Sequence, residues 1–431
     1  MSSNTLGNVL PAGRSPPAYK NKEAQEYVNS KHYKFIRTVQ ENTTLNRTFL
    51  MIGGIELPIV GTELIGRNWK TAAESFLRIS LYLLTSLAVP LGLVPIWNKM
   101  SAKKHALPDK FNHIFEQQFE DLLPEKDIKT FKDKLIEIEG EDKVKDYLGN
   151  DESSHEQKLK DLKGKLVEAK ADVVYKDKMS DGILTYIVPW IQVWFSKAVL
   201  KVTGFSGESH LLSEAEQEQS SEFHEKTKYL KFIGGALLTL FGTHKYAGLI
   251  KKAASEPQTD ENKAGLQGFF RKHIKQFDYY KEKFGRRMNL FGTYLFGGIG
   301  GFLLTSRSLN EFIERALRMC VENPLTFWGD AFIHSKLAER ADKNEGTTLI
   351  APNSKPEFGA RAVKSLGELE KELHTADSSE DENQIKKGLN SMKRQINLYY
   401  KSMIIDGLLM GVLTTGFNIW NTTRRVLAGK Y

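Results

Sequence analysis

The sequence predicts an all-α, multi-helix integral membrane protein with two polar helical inserts, and three observations support this prediction. Apolar residues gather in a few uncharged runs, although the mean hydropathy of the whole chain is only −0.39. Charged residues between these runs recur at helical spacing. Glycines inside the runs are spaced four residues apart, as in helices that pack against each other in lipid. By length, about three to five runs could be embedded in a membrane.

Composition limits the classes of partner. The chain has 431 residues and a net charge of +8, a balance that suits an anionic membrane surface or nucleic acid. Its basic runs, residues 271–275 and 281–287, are short and lie close to an apolar segment. We therefore expect membrane lipids and no nucleic acid as partners. The one cysteine, Cys320, excludes an intrachain disulfide and any multi-cysteine metal site.

The first 97 residues divide into two predicted regions. Residues 1–25 are rich in Gly, Pro, Ser and Asn and predict a disordered tail without a secretory signal. Residues 26–97 predict a polar helix, a broken apolar segment and a first membrane helix. That helix covers residues 79–97, which contain no charged side chain and would extend about 28 Å. Pro90 and Pro95 predict a kink near its end.

The middle of the chain predicts a polar insert followed by two marginal apolar helices. Residues 98–181 carry mixed Lys, Glu and Asp and predict solvent-exposed, ion-paired helices. Residues 182–250 contain two short apolar segments joined by a polar linker. These segments could span with lysines reaching the interface, or could lie as interfacial or buried hairpin helices.

The last third predicts two further membrane helices around a second insert. Residues 251–306 read as a basic amphipathic lead-in and a glycine-rich membrane helix over 288–306. Residues 307–401 predict the second polar insert, whose later part forms two charged helices around an acidic turn at Ser378–Glu382. Residues 402–431 predict a C-terminal membrane helix over 402–423 and a basic tail.

Glycine spacing provides the candidate helix-packing residues. Gly297 and Gly301 share one helix face, and Gly407 and Gly411 repeat the spacing. A dinucleotide-binding loop is excluded because Leu303 stands where the last glycine of G-x-G-x-x-G should be, and no lysine follows as in a P-loop. The remaining alternative is a buried helical hairpin in a soluble core.

Three polar residues stand out as candidates for chemistry. Asp330 and His334 are four residues apart on a predicted helix and could hold a metal or relay a proton; the alternative is a helix-surface hydrogen bond. Asp406 is the one ionisable residue inside a predicted span, and it could pair with Lys401 one turn away. No metal site, cofactor site or catalytic constellation is predicted.

The sequence favours a non-enzymatic, multi-pass membrane protein that acts as a scaffold or assembly component. Its glycine-rich faces would associate, and its polar inserts would bind a protein partner or a second copy. The alternatives are a transporter or channel, and a soluble helical protein that inserts conditionally. Basic residues flank both ends of nearly every apolar segment, so the orientation stays open.

Overall fold

The computed structural model describes residues 19–41, 69–88, 92–109, 119–123, 126–200, 214–257, 265–274, 286–306, 323–352 and 359–427, together with single residues and pairs between these segments. Within these residues the protein is helical and contains no strand. A single antiparallel bridge joins Ile350 to Val363. The predicted all-α fold is confirmed.

Helices occupy most of each described segment. In the first half of the chain, the helices of more than one turn are α1 (Lys22–Asn29), α2 (Lys31–Glu41), α3 (Trp69–Ala88), α4 (Val94–Lys104), α5 (Ile128–Glu139), α6 (Glu141–Leu148) and α7 (His155–Ala198). A single helical turn, Phe119–Leu122, lies between α4 and α5. In the second half the helices are α8 (Glu214–Ser255), α9 (Leu266–Lys272), α10 (Arg286–Thr305), α11 (Asp330–Glu345), α12 (Leu366–Ser378) and α13 (Glu382–Leu427). A π-helical turn, Leu325–Gly329, leads directly into α11.

Long helices cross several boundaries that hydropathy suggested. Helix α7 begins in the first polar insert and continues through the apolar segment that starts at Gly182. Helix α13 likewise runs from the second insert through residues 402–423. Charged residues at helical spacing continue a helix as well as apolar ones do, so a change of polarity does not end it.

Other predicted boundaries agree more closely with the structure. Helix α10 nearly coincides with the predicted span 288–306, and the acidic turn lies between α12 and α13. The predicted span 79–97 instead divides between α3 and α4. Helix α1 begins at Lys22, inside the predicted tail, whose first eighteen residues lie outside the described residues, as does most of the broken apolar segment.

The first of two compact units comprises residues 1–58 and 324–415. Its core contains Tyr33, Leu373 and Met392, each fully buried. The Tyr33 hydroxyl donates to the buried Glu370 carboxylate at 3.0 Å, and Arg37 pairs with the same carboxylate. Helices α2 and α12 are therefore joined by an ion pair as well as by apolar packing.

The second unit comprises residues 59–323 and 416–431. Around the first polar insert, an apolar core forms beneath an ion-paired surface; its fully buried members include Phe131, Leu135 and Leu162. Surface pairs such as Lys160–Glu156, at 2.6 Å, follow the predicted i,i+4 pattern. The first insert is thus a helical subdomain with a core of its own.

One helical segment in the described residues, Glu382–Leu413, is long and apolar enough to cross a membrane by length and composition. Leu295–Thr305 is a shorter apolar helix.

Candidate functional site

Glycines line the contact between α10 and α7. A β-carbon built on Gly297 would lie 2.8 Å from the Gly182 carbonyl oxygen and 2.8 Å from Thr185 Cβ. A β-carbon on Gly301 would lie 2.5 Å from Cγ of Pro189. Real β-carbons do not approach other atoms this closely, so only glycine fits at both positions. This contact lies on the helix face that the Gly297-x-x-x-Gly301 spacing predicts.

A second face of α10 contacts α8 even more closely. A β-carbon on Gly300 would lie 2.6 Å from the Gly235 carbonyl oxygen, and one on Gly235 would lie 2.6 Å from the Gly300 carbonyl oxygen. The two backbones therefore touch reciprocally, in the manner of Cα–H···O contacts at helix interfaces. The Thr239 hydroxyl donates to the Phe296 carbonyl at 3.3 Å beside this contact.

Helices α7 and α8 complete a three-helix bundle. A β-carbon on Gly182 would lie 2.6 Å from Thr243 Oγ1, and Tyr186 packs beside Phe232 further along, with its hydroxyl donating to the Phe232 carbonyl at 3.0 Å. Because residue numbers rise on α7 as they fall on α8, the two helices are antiparallel. The contacts of Gly297 and Gly301 show that α10 is parallel to α7.

Large apolar side chains cover the outside of this bundle. Trp194 is 64% exposed on α7, and Leu237 and Phe241 are 62% and 64% exposed on α8. Other members of this exposed surface, which we call the apolar belt, are Ile183, Trp190, Ile191, Val199, Tyr229, Leu230, Phe232, Ile233, Leu238 and Leu240. Small residues thus lie where the helices approach most closely, and large apolar residues are exposed on α7 and α8, as in helices that pack against each other in lipid.

The other predicted glycine pair lies in the first unit. Gly407 and Gly411 are half-buried on α13, next to exposed Leu408 and Val412.

The three predicted polar residues come together in the first unit. Asp330 and His334 are buried on α11, and Asp406 is fully buried on α13. The Asp406 carboxylate lies against Gly329, whose β-carbon, if present, would be 3.0 Å from Asp406 Cγ. Asp330 directly follows that glycine. The alternative prediction of a hydrogen bond on the helix surface is therefore wrong in one respect, because Asp330 and His334 are both buried.

Burial sets the charge of this polar cluster. His334 has its pKa lowered to about 4, mainly by burial and against the opposing effect of Asp330. His334 Nε2 has no hydrogen-bond partner, and the ring lies 6.0 Å from that of Tyr399. At neutral pH the His334 ring is therefore uncharged, which suits a polar contact between helices.

Charged side chains are also buried at one end of the bundle. Lys178 is fully buried on α7, with its ammonium 3.1 Å from Asp177 and 2.9 Å from Asp181. The three form a triad within one helix, immediately before the apolar run that begins at Gly182. Sequence analysis treated this stretch as part of a solvent-exposed insert, so it missed the triad.

A second buried acid connects three helices nearby. Asp172 of α7 accepts from Lys104 and His105, at the end of α4, and from Lys251 of α8. Burial alone would raise the pKa of Asp172, but these hydrogen bonds outweigh burial and hold the pKa well below its usual range. The ionised carboxylate thus fixes α4 and α8 against α7.

Comparison with family models, curated proteins and solved structures finds no match to this chain. The bundle and the three buried polar groups must therefore be interpreted from their own chemistry. Among the described residues, no group of three or more His, Cys, Asp or Glu side chains is arranged to hold a metal ion.

Gly300 and Lys178 are residues of this site that sequence analysis did not select as candidates. Gly300 lies within the glycine-rich run, but spacing alone ranked the Gly297–Gly301 face first. Gly235 and Thr239 show a looser small-xxx-small spacing in the sequence, and this spacing lies at the second interface. Nothing in the local sequence distinguishes Lys178 from a lysine at the surface.

Proposed function

We propose that the bundle of α7, α8 and α10 is embedded in a lipid bilayer and that the protein is a membrane scaffold. The observation that carries this proposal is the combination of a glycine-lined interior with the apolar belt outside. In water, such a belt would be a large exposed apolar patch, of the kind that soluble monomers rarely carry. In lipid, the same residues contact acyl chains, and close backbone packing holds the helices together.

Helix α13 supports the same proposal from the first unit. Ile404, Leu408 and Val412 are more than 60% exposed, and they follow one another at helical spacing. On the other side of the helix, Ser402, Asp406 and Met410 are buried. A helix with an apolar outer face and a polar buried face matches a membrane helix that contacts lipid on one side and protein on the other.

A structural role fits the bundle better than transport does. The buried charges at the end of the bundle are paired within the protein, since Lys178 lies between two aspartates, and the contacts between helices are filled by glycine, threonine and proline. A transport site would need polar groups that can exchange partners with a substrate. The polar helices α5 and α6 stand outside the bundle, and we propose that they present the surface to which a protein partner binds.

Membrane fractionation of the expressed protein tests this proposal. We expect the full chain to remain in the membrane pellet through an alkaline carbonate wash and to be released by mild detergent. Carbonate strips proteins held by charge but leaves those embedded in the hydrocarbon region. Recovery in the soluble fraction, either at once or after carbonate, would contradict embedding and would assign the apolar belt to a protein partner.

A further inference from the structure

The two ends of the apolar belt differ in the contacts that their lysine side chains make. Because α7 and α8 are antiparallel, Phe241 and Ile183 mark one end of the belt, and Tyr229 and Val199 mark the other. Both ends carry lysines on described helices. At the Phe241 end, Lys178 and Lys251 pair with aspartates of α7, but other lysines there have no acidic partner among the described residues.

At the Tyr229 end, nearby carboxylates or carbonyls engage the lysines of α8. Lys226 lies 3.3 Å from Glu222, and Lys228 lies 2.6 Å from Glu225. Lys231 donates to the carbonyl of Ser306, at the end of α10, at 2.5 Å. These contacts leave little net positive charge on this part of α8.

At the Phe241 end, two lysines without acidic partners among the described residues lie over aromatic rings. The exposed Lys245 of α8 has its ammonium 5.4 Å from the ring centroid of Phe241, one turn away. The ammonium of Lys176 on α7 lies 5.9 Å from the ring centroid of Trp97 on α4. An apolar stem beside a ring with a terminal ammonium is the arrangement by which lysines reach the bilayer interface.

Helix α4 adds a face of exposed apolar and basic side chains to this end of the belt. Ile96, Lys99, Met100 and Lys103 are all exposed, and their spacing places them on one side of the helix. Among the described residues, none of the lysines at positions 99, 103, 176 and 245 has an acidic partner. We call these four lysines the basic rim.

We propose that the basic rim binds the headgroups of anionic phospholipids. This inference rests on the proposed membrane embedding of the bundle, and it goes beyond it by naming the lipid class and the end of the bundle that contacts it. Two observations carry it: the rim is continuous with the apolar belt, and its positive charge is not neutralised by the protein. Each lysine near an anionic membrane surface strengthens the association of the protein with that surface about fivefold.

Lipid association can be measured directly with spin-labelled lipids. The full-length protein is reconstituted in phosphatidylcholine bilayers that contain trace spin-labelled phosphatidylcholine or phosphatidylglycerol. The fraction of motionally restricted label gives the relative affinity of the protein surface for each lipid. We expect phosphatidylglycerol to be preferred by about twofold or more, since only part of the lipid shell contacts the rim, and salt should reduce the preference.

Two variants with equal loss of charge test whether the rim is responsible. The rim variant combines K99Q, K103Q, K176Q and K245Q, and the control variant combines K129Q, K132Q, K145Q and K160Q on α5, α6 and the polar first part of α7. We expect the preference to disappear in the rim variant and to persist in the control. The restricted phosphatidylcholine component reports that each variant remains embedded.

The outcomes separate the rim from the membrane proposal. Restricted lipid without a preference for phosphatidylglycerol, or a preference that survives in the rim variant, would overturn the rim while leaving embedding intact. If both variants lose the preference for phosphatidylglycerol equally, the preference is due to net charge. That result would also overturn the proposal that the basic rim binds the lipid. No restricted lipid of either kind would overturn embedding and the rim together.

Discussion

Replacement of Gly300 by alanine is expected to destabilise the helix bundle even though alanine is the better helix former. The added methyl group would lie 2.6 Å from the Gly235 carbonyl oxygen, so α8 and α10 must move apart. Overpacking of this kind costs about 1–3 kcal/mol and sometimes more, and a backbone atom cannot move aside as a side chain can. The gain in helix propensity is only about 1 kcal/mol, so the net effect is a loss of stability.

Gly248→Ala is the matched control for this prediction. Gly248 also lies within α8, but a β-carbon there would have no atom within 4 Å. Its replacement should leave stability unchanged or raise it by up to about 1 kcal/mol. Both variants can be compared by titration with SDS in detergent micelles, with circular dichroism as the signal. Equal midpoints for the two variants would show that the glycine contact does not hold the bundle together.

Replacement of Lys178 by methionine is expected to have the largest effect of any single change considered. Methionine retains the volume of the side chain but removes the ammonium that lies between Asp177 and Asp181. Breaking a buried ion pair by removing one partner typically costs about 3–5 kcal/mol, because the remaining charge is left in a poorly solvated site. The full-length variant should therefore unfold at a much lower SDS concentration than the wild-type protein.

Lys160→Met makes the same chemical change at the surface of the same helix. Lys160 pairs with Glu156, but the two side chains are 53% and 70% exposed. Exposed pairs contribute about 0–1 kcal/mol, so this variant should resemble the wild-type protein. Adding Asp177→Asn and Asp181→Asn to Lys178→Met should restore part of the lost stability. If methionine is tolerated equally well at both positions, Lys178 does not act as a buried counter-ion.

The sequence was sufficient to predict that the chain is helical but not which helices pack against each other. The limits of α10 and the turn between α12 and α13 could be predicted because charge patterns and turn-forming residues act locally. The Gly300–Gly235 contact could not, since it depends on which helices become neighbours. Gly297 and Gly301 were nevertheless identifiable, because close backbone packing leaves a spacing signal on a single helix.

The buried polar groups show a second limit of sequence analysis. Asp330, His334 and Asp406 were each identified as candidates, but only the tertiary structure brings Asp406 against Gly329. Lys178 resembles its charged neighbours in sequence, and its burial is a property of the folded unit alone. Whether a charged residue is buried or exposed affects its contribution to stability more than its residue type does.

The central claim is that the apolar belt contacts lipid, and quenching of Trp194 fluorescence tests it most directly. Trp194 is highly exposed on α7, and the other five tryptophans of the chain can be replaced by phenylalanine. In reconstituted bilayers, we predict strong quenching by lipids brominated on their acyl chains and little quenching by aqueous iodide. Quenching by iodide without quenching by brominated lipid would place the belt in water and contradict the claim.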